Sequence, residues 1–469
     1  MIQINDTNIQ SKVDRLFSMG QGHIFRFWEK LDSRQQKNLL EQVDQIDTDL
    51  LDHLIEIGLN PEKYAHGKQK LKSAEIISLN DRVQKDPGAR IVGETTLRDG
   101  KVSAFLVAGG QGTRLGISIP KGIYPVTPVK KKSLFQLHAE KLLATGRKYG
   151  VTIPWYIMTS QINHADTVHY FQANKYFGYE SHDIFFFSQD MIPAISQEGK
   201  SILDALDHIF VNPNGHGGSL KALWQSGAIA DMKKRGIEYI FYFQVDNVLT
   251  RICDPEYIGY HVRGNAEMSN KVVRKASPEE KLGVICYIDG QLGVVEYSDL
   301  GKEEANATNP DGSLVFWAGS IATHMLSVDF VERENKEGFK LPYHIAYKSI
   351  PYLDDKGKLI QPREKNGIKF ETFVFDALLD AKRVVSIEVE RDKEFSPLKN
   401  ESGENSPETV RRSLVDTYTD WLEQAGHKVK GKKGKKSIEI SPLFALDAEE
   451  LKQRNFNIDP DADEIYLGF

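Results

Sequence analysis

Cysteine is nearly absent. Cys253 and Cys286 are the only two in 469 residues, which excludes a disulfide framework and a thiolate metal cluster and suits a reducing compartment. No apolar run approaches the ~20 residues of a membrane span, and the opening residues MIQINDTNIQ lack the cationic and apolar regions of a secretory signal. Positive charge is not in excess either: the formal net charge is −6, so there is no global electrostatic case for a nucleic-acid or anionic-membrane partner. The expectation is a cytoplasmic protein with neither kind of partner. Two familiar phosphate loops are missing as well. Gly110, Gly112 and Gly116 give G-x-G-x-x-x-G where a dinucleotide-binding turn has G-x-G-x-x-G, and no Gly-Lys-Ser/Thr follows at Walker spacing. A dinucleotide-dependent redox enzyme would need the first of these.

What is present is ordinary in bulk: 40% hydrophobic and 27% charged residues, enough for a sizeable core. The length fits about three domains, or one large α/β domain with terminal additions. The first ninety or so residues read as helical and as a packing subdomain. Ser33 followed by Gln36 suggests a capping box, and Leu39, Val43, Ile46, Leu50 and Leu54 recur at helical spacing. From about Val92 strands and helices alternate. β-rich runs cover residues 102–108, 153–159, 184–187 and 239–245, with helical stretches at 133–148 and 219–234 between them. In the second helical stretch Leu220, Leu223, Trp224 and Ala228 mark the buried stripe. Such alternation predicts a doubly wound, mostly parallel α/β sheet, in which ligands bind beyond the carboxyl ends of the strands. Past residue 400 the chain turns polar, and residues 427–436, HKVKGKKGKK, carry six lysines. Their glycines and the acidic balance favour a solvated hairpin or loop over an anionic-partner patch.

The densest signal is LVAGGQGTRLG, residues 106–116, with Pro120-Lys121-Gly122 just beyond. An apolar strand ends in Gly109, Gly110, Gly112 and Gly116, which lets the backbone turn sharply and approach a ligand. Amides freed at such a turn form an anion site, and Arg114 and Lys121 place two cations near it. A Gly-rich turn alone is equally a ligand-free connection. This one resembles the signature of eukaryotic-type UDP-N-acetylglucosamine pyrophosphorylases, within a broader family that includes UDP-glucose pyrophosphorylases. The resemblance continues in order through IPWYIMTS (153–160), FFFSQDMIPAI (185–195), NGHGG (214–218), QVDN (244–247), VVEYSD (294–299), AGSIATH (318–324), NGIKFETFVFD (366–376) and FSPLKN (395–400).

The resemblance implies a Rossmann-like nucleotidyltransferase domain at residues 93–400, between a helical N-terminal subdomain (1–92) and a small C-terminal subdomain (401–469). It also implies roles. Gly109 and Gly110 approach uridine, Gly112 and Thr113 wrap the triphosphate with Gly215 among the nucleotide-binding residues, and Arg114 counters the departing pyrophosphate. Lys121 binds oxygens near the α-phosphorus, and Lys399 reaches the sugar phosphate. Gln189 reads the uracil edge, since an amide offers both donor and acceptor. Asp246 is the ligand for Mg2+, which prefers one or two carboxylates plus substrate phosphates. In isolation the two lysines read as surface charges, Gln189 as a loop residue and Asp246 as a helix N-cap.

The sugar pocket departs from the pattern. The acetylglucosamine enzymes typically carry asparagine where this chain has His216 and Ser320, and Gly215-His216-Gly217 resembles the UDP-glucose branch. Glu296 remains placed for sugar hydroxyls, while His216 also reads as a loop-stabilising residue. The expected activity is a uridylyltransferase joining UTP to a hexose 1-phosphate, chiefly N-acetylglucosamine 1-phosphate. The alternative substrates are glucose or galactose 1-phosphate, or a broad range of sugar phosphates. A non-catalytic sugar-nucleotide sensor on the same fold would have lost the phosphate cations or the metal carboxylate, yet Arg114, Lys121, Asp246 and Lys399 are all present. The sequence does not indicate an oligomeric state.

Overall fold

The apolar run after Lys101 forms the strand Val102–Val107, buried at every position, as a strand covered on both faces must be. It pairs in parallel with Trp155–Ser160 on one side and Tyr239–Gln244 on the other. The computed structural model describes residues 2–64, 69–85, 87–429 and 436–468. These strands belong to a ten-stranded sheet in the order Leu71–Ser73, Val284–Ile288, Ala318–Ser327, Tyr239–Gln244, Val102–Val107, Trp155–Ser160, Ile184–Gln189, with the remaining three strands off that path. The expected α/β doubly wound architecture is therefore present, and the parallel half of the sheet carries the Gly-rich loop. The other half, around Ala318–Ser327, pairs antiparallel with Tyr239–Gln244, Met268–Arg274 and Val284–Ile288. The helix Leu134–Tyr149 starts at a Ser133 cap and stops at Gly150 with φ 71°, the left-handed conformation that glycine tolerates.

Two compact units are distinguished: Met1–Gln69 with Gln189–Gly218 and Leu341–Val374, and Lys70–Ser188 with Ser219–Lys340 and Phe375–Phe469. They cut across the expected boundaries at 92 and 400. In the first unit, Val13, Leu39 and Leu54 from the helices share a core with Ile195, Ile368 and Phe370 from the two later segments. In the second, the C-terminal residues are tied inward. The Glu439 carboxylate accepts from Val129 N and Lys130 N at 2.9 and 2.7 Å, and Ser441 Oγ donates to Glu140 at 2.9 Å.

Several local expectations shift. The capping box sits one residue earlier, with Asp32 and Gln35 satisfying each other's backbone amides. The stripe splits between helices Ser33–Gln45 and Thr48–Leu59, and across that break Leu51 rather than Leu50 is buried. The N-terminal ninety residues are not wholly helical, because Leu71–Ser73 adds an edge strand to Val284–Ile288. The stretch 219–234 is two helices, Gly218–Gln225 and Ala228–Lys234, divided where Gly227 takes φ 81°. Trp224 is 37% exposed rather than part of the buried face, which Leu220, Leu223 and Ala228 form. Beyond the lysine-rich run, Ser437–Ile440 forms a strand paired in parallel with Glu464–Leu467. Most of the lysine-rich run lies outside the described residues. Among the described residues no helix is long and apolar enough to cross a membrane.

Candidate active site

Parallel register sets Val107 opposite Gln244, so the Gly-rich loop and Asp246 leave the sheet at the same end. The loop folds back on itself: Gly112 N donates to Ile119 O at 3.1 Å and Lys121 N to Gly110 O at 3.2 Å. Three glycines there have three different reasons. An added Cβ at Gly112 would lie 2.3 Å from Ile117 Cγ1, and Gly116 holds φ 72°. Gly110 has no heavy atom within 4 Å of an added Cβ and no left-handed φ, so the fold itself does not demand glycine. A ligand approaching the backbone would. Thr113 and Arg114 follow, exposed.

One residue holding this loop has no role in the sequence reading. Asn163 is fully buried; its Nδ2 donates to Ala108 O at 3.0 Å and Gly110 O at 3.4 Å, while its Oδ1 accepts from Ser160 N at 2.8 Å. The signal was present as an asparagine three residues past a strand-ending Ser160, where such side chains bond local backbone.

Lys121 opens the short turn Lys121–Ile123. Gly122 packs so tightly that an added Cβ would stand 2.1 Å from the Phe135 ring. Lys121 Nζ lies 3.4 Å from Asp246 Oδ2, the two side chains 17% and 15% exposed. Lys399 arrives from far along the chain because Leu398 N donates to Asp246 O at 2.9 Å, and Lys399 N donates to Asn405 O at 2.7 Å. Beneath the turn, burial pushes the His138 imidazole down to about 3, so it stays neutral and donates from Nε2 to Val245 O at 3.0 Å. Among the described residues, no three His, Cys, Asp or Glu side chains are grouped to hold a metal ion. Asp246 contributes one hard carboxylate, a donor set that fits magnesium completed by phosphate oxygens and water and does not fit a protein-caged ion.

Glu296 and Ser320 both adjoin Gly283. Ser320 N donates to Gly283 O at 2.8 Å, and an added Cβ on Gly283 would stand 3.1 Å from Glu296 Oε1. Ser320 also borders a register shift between Ala318–Ser327 and Met268–Arg274. Within that irregularity Ala322 has φ 53°, and Ala322 N donates to Ser320 Oγ at 3.4 Å.

Gln189, Gly215 and His216 fall in the first unit. Gln189 is 5% exposed, and its Oε1 has no hydrogen-bond partner among the described residues. A buried acceptor left unsatisfied is costly and suits a ligand donor. Gly215 has φ 61°, and a Cβ there would meet Thr372 O at 2.4 Å. His216 is anchored within the same unit by a segment remote in sequence: Nδ1 accepts from Val374 N at 3.1 Å, and the ring stacks on Phe373 at 5.2 Å and 26°.

A family model described as UTP–glucose-1-phosphate uridylyltransferase matches residues 62–455. The chain is 37% identical to UDP-N-acetylhexosamine pyrophosphorylase-like protein 1 of Xenopus tropicalis, over 94% of this chain and 93% of that one. It is 37% identical to UDP-N-acetylglucosamine pyrophosphorylase of Saccharomyces cerevisiae, over 92% and 94%. Among solved structures it is similar to uridine diphosphate N-acetylglucosamine pyrophosphorylase from Trypanosoma brucei in complex with inhibitor. That likeness has a TM-score of 0.84 at 25% identity and covers 100% of this chain and 99% of that one.

Proposed function

The chain belongs to the UTP–glucose-1-phosphate uridylyltransferase family, and from that premise we propose that it joins UTP to N-acetylglucosamine 1-phosphate, releasing pyrophosphate. It is a uridylyltransferase of the UDP-sugar pyrophosphorylase class. The acetylated sugar is supported by the substrate named for relatives at 37% identity that span nearly the whole chain. The observation that carries the site is the convergence of three segments at one sheet end. The Gly-rich loop, Lys121 beside Asp246 at 3.4 Å, and the Lys399 segment bonded to Asp246 O meet there.

In this reaction a phosphate oxygen of the sugar 1-phosphate attacks the α-phosphorus of UTP. The bond from that phosphorus to the oxygen bridging to the β-phosphate breaks, and pyrophosphate leaves with the electron pair. The attacking oxygen is already anionic, so no general base or covalent nucleophile is needed. Repelling anions must instead be held in line while negative charge grows on the leaving group, which makes the catalysis positioning plus cationic stabilisation. The backbone at Gly109 and Gly110 accepts close approach of the nucleotide, and Gly112 and Thr113 wrap the triphosphate with Arg114 countering the pyrophosphate. Lys121 meets oxygens at the α-phosphorus and Lys399 those of the sugar phosphate. Gln189 turns its unsatisfied Oε1 to the uracil N–H, and Gly215 lets the neighbouring backbone come close. Glu296 and Ser320 are assigned to the sugar, and the family resemblance gives His216 the same role. Asp246 would hold Mg2+, which supplies charge neutralisation on the triphosphate.

The test is magnesium-dependent pyrophosphate release from UTP across a panel of sugar 1-phosphates, with other nucleoside triphosphates as controls. Preference for N-acetylglucosamine 1-phosphate supports the proposal. Preference for glucose or galactose 1-phosphate overturns the sugar assignment and throws attention on His216 and Ser320, where this chain departs from the asparagines of the acetylglucosamine pattern. No release with any sugar favours a non-catalytic sugar-nucleotide sensor.

A further inference from the structure

Asn247 follows Asp246 and is 3% exposed. Both ends of its amide reach the segment that leads to Lys399: Nδ2 donates to Glu394 O at 2.7 Å, and Oδ1 accepts from Ser396 N at 2.9 Å. The same Oδ1 also accepts from Leu249 N at 3.3 Å, so the side chain is fixed on its own turn while it grips the other. An antiparallel bridge between Asn247 and Pro397 and the bond from Leu398 N to Asp246 O continue the contact to the residue before Lys399. The Glu394 carboxylate in turn pairs with the fully buried Lys271 ammonium, which also binds Asp254 Oδ2 at 2.8 Å. Residues 394–398 are thus held at both ends of a short span. A buried primary amide that served only to fill space would be less favourable than an apolar side chain of the same volume. Its use on two backbone groups of a segment remote in sequence is alignment.

Of the two partners, the Asp246 side is fixed independently. Val245 N donates to Val107 O at 3.2 Å, and His138 donates to Val245 O, so the central strand holds that turn in place. The 394–399 segment has anchors of its own in the Glu394–Lys271 pair and the Lys399 N bond to Asn405 O, and the Asn247 amide is what ties it to that turn through two side-chain bonds. We propose that Asn247 is a positioning residue that sets the register of the Lys399 ammonium against the Asp246 turn, so that the sugar phosphate meets its cation in line with the α-phosphorus. This rests on the reading that Lys399 contacts the sugar phosphate.

A double-mutant cycle on the full-length enzyme tests it. Lys399→Ala is expected to lower kcat/KM for the sugar 1-phosphate by about 100-fold or more, and Asn247→Ala by about 30-fold, with KM for UTP moving less than about threefold. The double variant should fall within about threefold of Lys399→Ala alone, because an amide that acts through Lys399 has nothing left to position. If the two losses multiply, Asn247 acts elsewhere and the inference is overturned. If Lys399→Ala retains wild-type kcat/KM, the reading beneath it is what has failed, and the inference falls with it. Should Asn247→Ala not fold, the cycle is run with Asn247→Asp. That variant is isosteric and keeps the acceptor for Ser396 N–H, but it sets an oxygen against the Glu394 carbonyl, and the same non-multiplicative pattern is expected.

Discussion

Ser320 shows how much a single side chain is asked to do. Its hydroxyl accepts from Ala322 N beside a strand irregularity, and its own amide is bonded to Gly283 O. The backbone is therefore placed by the fold, leaving the side chain to vary. An amide at this position would restore the donor and acceptor pair that the acetylglucosamine pattern carries, and polar groups matched or left unmatched in a site discriminate substrates strongly. Ser320→Asn is expected to shift the ratio of kcat/KM values toward N-acetylglucosamine 1-phosphate over glucose 1-phosphate by about tenfold or more. A ratio within twofold of wild type would remove Ser320 from the sugar-reading set. Gly110 and Gln189 make the complementary point: a glycine with open space beside it and a buried carbonyl oxygen without a partner are each unexplained by the packing of the described residues.

At the scale of elements, the Gly-rich loop is shaped by bonds at its base as much as by its glycines. Asn163, at the turn after Trp155–Ser160, ties Ala108 O and Gly110 O to the end of the neighbouring strand. Asn163→Asp preserves the acceptor for Ser160 N–H but places oxygen against two carbonyls. Leaving such buried groups unsatisfied costs about 1–3 kcal/mol. The expected outcome is a lowered Tm together with a rise of roughly tenfold in KM for UTP, since the loop proposed to approach the nucleotide loses its anchor. Thermal melts and UTP titrations on the same preparation check it. A lowered Tm with unchanged KM would show that the anchor stabilises the fold without shaping the loop.

At the scale of the whole molecule, stability responds to pH through buried carboxyls of opposite behaviour. Burial, aided by the nearby Asp380 carboxylate and only partly offset by Arg333, pushes Glu334 up to about 7. The unfolded chain titrates that group near about 4.3. Between those values the folded state holds more protons than the unfolded one, so this group's contribution to stability falls as pH rises through the window. Asp254 runs the other way. Burial alone would raise it, but the cations of Lys271, Arg251 and Arg82 outweigh that and hold it below the usual carboxylate range, so its contribution is lost as pH falls. Glu334→Gln keeps the neutral shape and removes the first titration. Its stability relative to wild type should increase from pH 4 to pH 8, by on the order of 1–2 kcal/mol, read by denaturant melts across that range. A difference that stays flat with pH would mean that Glu334 ionises normally in the folded protein.

The strands at 102–107, 155–160, 184–189 and 239–244 and the Gly-rich loop were legible in the chain itself, because apolar runs and glycine spacing act over a few neighbours and the sheet buries both faces. The family was legible too, since its motifs lie in order over most of the length. Asn247 was not, and of Asn163 only the local bond to Ser160 N was. Each is an ordinary asparagine until a distant backbone segment arrives to accept its hydrogen bonds, and which segment arrives depends on the sheet. The same holds for the compact units, which join residues before 70 to segments near 200 and 350, and for Trp224, left 37% exposed where helical spacing alone placed it inside. Local pattern determined which residues were available for phosphate chemistry. Long-range backbone pairing, which no short window of sequence encodes, decided that Lys121, Asp246 and the Lys399 segment share one end of the sheet.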